Sequence, residues 1–302
     1  MKYGFSFKGK HTNEFAGLTV KTASRPIKPD MRDAVFTAPY ADGSQSTADK
    51  NPYGREFYET RQFTVTMFLT ADDFTSLNRK LAKISSWLTG SGELIFDDTP
   101  LVIWNAKAAG AVDYAPERAG KKAVLSISFE VQPFGHLVWG IGDGPVIGQA
   151  GIYLGDNIPI GLDGQNNTVT LTASASSKTL TVLNYGDRYV RPVITIRPAA
   201  YAGEVTVSIS GSENSMMIDS GSGVKTVVID CDRHTVTDEN GNNIMGRPEG
   251  DKVCFSGRFT ELPPGKSTLL ISRTSGEGNA EVTVDFAPML MWDANFDDVD
   301  WE

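Results

Sequence analysis

Residues 58–92 read YETRQFTVTMFLTADDFTSLNRKLAKISSWLTGSG, and two periods meet inside that stretch. Through Thr70 the period is two: Phe63, Val65, Met67 and Leu69 fall on one face, Thr64 and Thr66 on the other. That alternation predicts a strand with one face on a core. From Thr70 the period changes. Phe74, Leu77, Leu81, Ile84 and Leu88 recur at intervals of three and four, which is one stripe of an amphipathic helix. Thr70 or Asp72 is expected to cap its start, with acidic residues in the first turn, and Gly90 to end it. Trp87 beside Leu88 is expected to pack into the core. A helix with one apolar stripe must lie against something, and the flanking strands are the available partner.

Working outward, Leu125, Ile127, Phe129 and Val131 alternate with Ser126, Ser128 and Glu130, giving a second half-buried strand. After Phe134 the character changes. Gly135, Gly140, Gly142, Gly144, Gly148 and Gly151 punctuate the chain, which places a domain boundary there: residues 1–135 and residues 136–302. Beyond it, short apolar runs such as KTLTVLN, RPVITIRP, EVTVSISG, KTVVIDCD, STLLISRT and AEVTVDFAP follow one another with turns and no helix. That spacing suggests a β-sandwich or jelly roll. The predicted class is therefore mainly β, with one helix.

The chain has 302 residues and a net charge of −9, with 28 Lys+Arg against 37 Asp+Glu. An acidic balance argues against a protein that grips phosphates, but not against a surface that DNA merely passes, where repulsion prevents sticking. No apolar leader opens the sequence and no window has the length of a membrane span, so folding in a cytoplasm without insertion into a membrane is expected. Cys231 and Cys254 lack paired spacing and read as small buried hydrophobes on strands.

The stretch from Val227 to Asn243, VVIDCDRHTVTDENGNN, collects acids, a cysteine and a histidine. As a calcium loop from Asp230 it fails, because His234 and Thr235 stand where oxygen ligands are needed. As a zinc site it lacks a second ligand pair. Two strands and a tight turn on Asn240-Gly241, where both residues can take positive φ, fit better. GIGDG at residues 140–144 lacks the context of a phosphate loop. His11, His136 and His234 lie far apart, and the pair Asp97-Asp98 reads as the turn after a strand. No catalytic residue, metal ligand or cofactor is assigned. Trp104, Trp139, Trp292 and Trp301 could supply flat platforms for sugar rings, which keeps a carbohydrate-binding adhesin of host cell-wall glycan as the alternative reading. A cell-wall hydrolase ranks third.

The order of these pieces carries a resemblance. FSFKGKHTNEFAGLTV, RPIKPDMRDAVFTAPYADG, the strand and helix quoted first, WLTGSGELIFDD, and the closing QPF together resemble the N-terminal domain of the siphophage distal tail protein (Dit) family. VLNYGDRYVRPVITI, VTVSISG, VVIDCDRHTVTDENG and FTELPPGKSTLLI resemble its C-terminal domain. The resemblance implies a split-barrel-like N-terminal β domain carrying a helix, and a galectin-like or jelly-roll C-terminal β-sandwich. It also implies a structural virion protein of the tail tip, or of a phage-tail-like particle, assembled in the host cytoplasm. In that role it is a homohexameric ring joining the tail-tube protein to the tail hub or baseplate. A tape-measure or receptor-binding protein is a further partner, and DNA passes through the lumen without specific binding. The polar stretch at residues 38–57, APYADGSQSTADKNPYGREF, is too long for a tight hairpin. Tyr40, Tyr53, Arg55 and Phe57 within it are the candidate contacts to a neighbouring subunit or to the tail tube.

Overall fold

In a computed structural model of the chain, the structure describes residues 3–32, 35–36, 42, 45–46, 56–117, 121–138, 167–172, 176–197, 203–211, 215–220, 225–246, 253–274 and 276–293. Two compact units emerge: Met1–His136 with Met291–Asp293, and Leu137–Leu290 with Ala294–Glu302.

The first unit contains β1 (Phe5–Phe7), β2 (Lys10–His11), β3 (Leu18–Ser24), β4 (Val35–Phe36), β5 (Gln45–Ser46), β6 (Arg61–Thr70), α1 (Phe74–Trp87), β7 (Ser91–Phe96), β8 (Thr99–Glu117) and β9 (Lys122–Val131); β10 (Gly135–Leu137) follows. Its main sheet runs β2-β1-β7-β8-β9-β6-β3, and these neighbours are antiparallel. β6 and β9 pair in register from Arg61↔Val131 to Thr70↔Lys122. The register puts both alternating sets on one side. Phe63, Val65, Met67 and Leu69 are fully buried, as are Phe129 and Val131, with Leu125 and Ile127 nearly so.

The stripe of α1 lies on that face through Leu77, Ile84 and Trp87. Trp87 stacks on Phe5 at 5.6 Å between ring centres and meets Phe7 edge-on at 6.4 Å. Phe129 meets Phe7 at 5.2 Å, so strands distant in sequence share one aromatic cluster. Three details depart from expectation. Asp73 is the cap, its carboxylate accepting from the Ser76 backbone N–H at 2.8 Å, and Thr70 and Asp72 are not. No acid lies in the first turn, because Asp72 and Asp73 precede it. Phe74 is 59% exposed, since the first residue of the helix stands beyond the edge of the stripe. The chain leaves the helix through Gly90, at φ +78°, a conformation that a side chain disfavours.

The second unit is a two-sheet sandwich. One sheet takes β11 (Thr168–Leu171), β20 (Ala280–Asp285), β13 (Val193–Arg197), β16 (Val227–Asp230) and β17 (Thr235–Thr237), in that order. The other takes β12 (Ser176–Asn184), β19 (Gly265–Arg273), β14 (Glu204–Ile209), β15 (Ser215–Ser220) and β18 (Val253–Gly257). β21 (Met289–Leu290) comes last. Ladder pairs in both sheets are antiparallel, and inward residues alternate along β13, β16, β19 and β20. Ile194, Ile229, Val282 and Val284 from one sheet and Val182, Val207, Leu269 and Ile271 from the other fill a single core.

Candidate assembly site at the root of the long loop

The chain enters the long loop after Asp30 and leaves it before Glu59. Entry and exit are stitched together as a short antiparallel pair. Met31 bridges Tyr58, the Arg32 N–H donates to the Phe57 carbonyl at 2.7 Å, and the Glu59 N–H donates to the Asp30 carbonyl at 2.8 Å. Arg32 adds a two-point ion pair to Glu59, Nε to Oε1 at 2.8 Å and Nη2 to Oε2 at 3.3 Å. The two side chains are 65% and 50% exposed, so water screens the pair and its gift is geometry more than stability.

Period-two alternation sorts the exit strand. Tyr58 points inward, its ring edge-on to Phe134 at 5.5 Å with the Lys28 ammonium 5.8 Å from its centre. Its hydroxyl donates to the Glu56 carboxylate. Phe57 points outward and is 54% exposed. Met31 and Ile27 are also exposed at this root, which places three large apolar side chains around one short backbone pair. Inside, the buried Arg61 donates to the Pro26 and Ile27 carbonyls, each at 3.1 Å, and to the Pro133 carbonyl through Nε at 2.8 Å. Burial pushes its guanidinium down to about 10, which leaves it charged at neutral pH and held by carbonyl dipoles. The root is thus a fixed platform on an otherwise long connection. Within that connection, β4 and β5 pair antiparallel, Val35 opposite Ser46.

Of the four candidate contacts, the structure places Phe57 at this root. Tyr40, Tyr53 and Arg55 lie outside the described residues. Sequence reasoning missed Arg32 and Glu59. The signal was present as two opposite charges at equal distance from the Met31–Tyr58 bridge, but it becomes readable only once that bridge is known.

Several other chemistry-bearing residues are occupied locally. His11 Nε2 bonds Asp97 at 2.9 Å while its Nδ1 accepts from the Asn13 N–H at 3.1 Å, so both ring nitrogens are engaged. Asp98 binds Arg25. In the second unit, β16 and β17 form the expected hairpin, but its turn is Cys231–His234, with His234 at φ +56°. Asp230 Oδ1 accepts from the N–H groups of Asp232 and Arg233, at 3.0 and 2.9 Å. The Asn240-Gly241 turn comes after the second strand, and of its two residues Gly241 alone takes positive φ. Asp238 organises it, accepting from the N–H groups of Asn240 and Asn242 at 2.9 and 2.8 Å. These carboxylates are committed to backbone donors. Among the described residues, no group of three His, Cys, Asp or Glu is placed to hold a metal ion. No helix among them is long and apolar enough to cross a membrane.

Of the tryptophans that could supply sugar platforms, Trp104 is removed by burial. Trp104 is fully buried, edge-on to Phe63 at 5.2 Å and covered by Arg61 at 4.9 Å. Trp292 lies against Arg25. Trp139 and Trp301 lie outside the described residues, as does the GIGDG stretch.

No protein-family model and no curated protein sequence matches the chain. Solved structures do. The SPP1 Dit (gp 19.1) protein, described as a paradigm of the hub adsorption apparatus in phages that infect Gram-positive bacteria, aligns with a TM-score of 0.61 at 14% identity. The alignment covers 95% of this chain and 100% of that one. The fold is that of a phage Dit protein. A chain of the phage p2 baseplate, in its activated conformation with Sr, aligns over 94% of this chain and 97% of its own at 10% identity. Its TM-score of 0.35 carries no weight here. The Dit fold therefore spans both units, the β unit that carries α1 and the sandwich that follows.

Proposed function

We propose that this chain is the distal tail component of a long-tailed phage or a phage-tail-like particle. Six copies form a ring at the tail tip, joining the last ring of tail-tube protein to the hub or baseplate, and DNA passes through the lumen. The supporting observation is the likeness of fold to the SPP1 Dit protein, whose alignment covers 95% of this chain and 100% of that one. A ring needs a different surface on each side of every protomer, one to offer and one to receive. The stitched root, with Phe57 outward on a rigid base, supplies a surface to offer. Tyr40, Tyr53, Arg55 and Phe57 are proposed to meet the adjacent subunit or the tail tube. A net charge of −9 suits a channel that DNA traverses without being retained. The protein works without a cofactor, takes its place in the virion tail after assembly in the host cytoplasm, and acts by binding other tail proteins.

Deleting residues 43–52 tests the role of the loop. The expected result is a folded protein that no longer assembles or co-purifies with tail-tube protein. Unchanged assembly and unchanged tail-tube binding would refute it.

A further inference from the structure

Three residues after the sandwich, Met291–Asp293, belong by contact to the first unit, and two arginines of that unit hold them. The side chain of Arg25 is 4% exposed. Its guanidinium carbon lies 4.2 Å from the centre of the Phe96 ring and 4.5 Å from that of Trp292, a flat cation between two aromatic faces. At its edge it donates to Thr99 Oγ1 at 3.3 Å and to the Asp98 carboxylate. The second arginine is Arg61. Besides the carbonyls of Pro26, Ile27 and Pro133, its Nη2 donates to the Met291 carbonyl at 2.6 Å. One buried cation therefore gathers the entry to the long loop, the closing segment of the first unit and the segment that follows the sandwich.

We infer that Met291–Asp293 is a strap that completes the first unit and holds the root of the long loop in place. Without the strap, Arg25 loses one of its two aromatic covers and Arg61 loses an acceptor it cannot replace from solvent while it stays buried. A buried donor without an acceptor is costly, so the local structure loosens until water can reach it. The part that loosens is the part Arg61 grips, Pro26–Ile27, which leads directly into the stitched pair at Asp30–Arg32. The strap lies 230 positions from Arg61, so the first unit reaches its finished form only after the chain has been made through Asp293. This inference concerns the chain's own folding and stands whether or not the assembled form is a ring.

Hydrogen exchange read by mass spectrometry on the full-length protein tests it, comparing wild type, Trp292→Ala and a chain stopped after Leu290. The informative amides are those of Arg32 and Glu59, which the root protects. Both variants should exchange about tenfold faster or more in peptides covering residues 26–32 and 57–61, while the β13 and β20 peptides of the sandwich keep wild-type rates. Wild-type rates at the root in Trp292→Ala would overturn the strap. Should the stopped chain fail to fold, a thermal-unfolding cycle of Arg25→Met, Trp292→Ala and the double variant decides. The account expects the double variant to lose less than the sum of the singles, and strict additivity would contradict it.

Discussion

Trp87 and Phe7 are joined by a hydrogen bond of 2.9 Å from the indole N–H to a backbone carbonyl, at the centre of an aromatic cluster. The indole fastens the last turn of the only α-helix among the described residues to a strand 80 positions earlier. Trp87→Phe keeps most of the ring and loses the donor, which should cost about 1–3 kcal/mol. Trp87→Ala also opens a cavity and should cost about 3–5 kcal/mol. Urea unfolding of the two variants checks the order, and equal losses would mean that the packing of the ring adds nothing beyond the hydrogen bond.

Phe57 separates folding from assembly. It is 54% exposed, and among the described residues no ring partner covers it. Phe57→Ser should leave the stability of the monomer within about 0.5 kcal/mol of wild type. In the proposed role the same change weakens self-association or tail-tube binding. A large loss of stability would show that Phe57 belongs to the core of the unit.

The two thiols should differ in reactivity. Burial pushes the Cys231 thiol up to about 12, and the residue is fully buried. Cys254 is partly exposed on β18, an edge strand. Alkylation at pH 8 should therefore modify Cys254 first, and Cys231 only at the rate of unfolding. Peptide mapping after a time course reads this directly. Equal rates on the two residues would contradict the burial of Cys231.

His136 gives a pH dependence whose sign is fixed. Burial holds its imidazole below the ordinary value of 6.5, and its Nδ1 finds no partner among the described residues. The unfolded chain therefore takes up a proton at a higher pH than the folded one does. Stability from this residue is complete above about pH 6.5 and falls as pH drops through the window beneath it. His136→Gln should flatten the slope of the unfolding midpoint between pH 6.5 and 5. An unchanged slope would show that His136 does not set it; Asp73, whose pKa is lowered by accepting from Ser76, loses its contribution only at more acidic pH.

Much of the fold was legible because burial follows a period. The Phe63–Leu69 and Leu125–Val131 faces could be read one residue at a time, and each lies in the core. The helix was legible for the same reason, but its cap was not. Asp72 and Asp73 are adjacent carboxylates, and which of them reaches a backbone N–H depends on where the β6 ladder releases the chain. Trp104, kept open as a platform, could have been set aside on the same ground, because Val102, Trp104 and Ala106 alternate inward on β8. The strap and the Arg32–Glu59 pair could not be read at all. Each depends on a contact between distant segments that no local period announces, and Arg61 is bound by carbonyl oxygens, which every residue carries.

The central claim is most directly tested by the mass of the protein in solution, measured by light scattering with negative-stain imaging, alone and together with the proposed tail-tube and hub partners. The account predicts an open ring of about six times the 32.7 kDa chain, formed alone or on one of those partners. A protein that stays monomeric with both partners present, and binds neither, would contradict it.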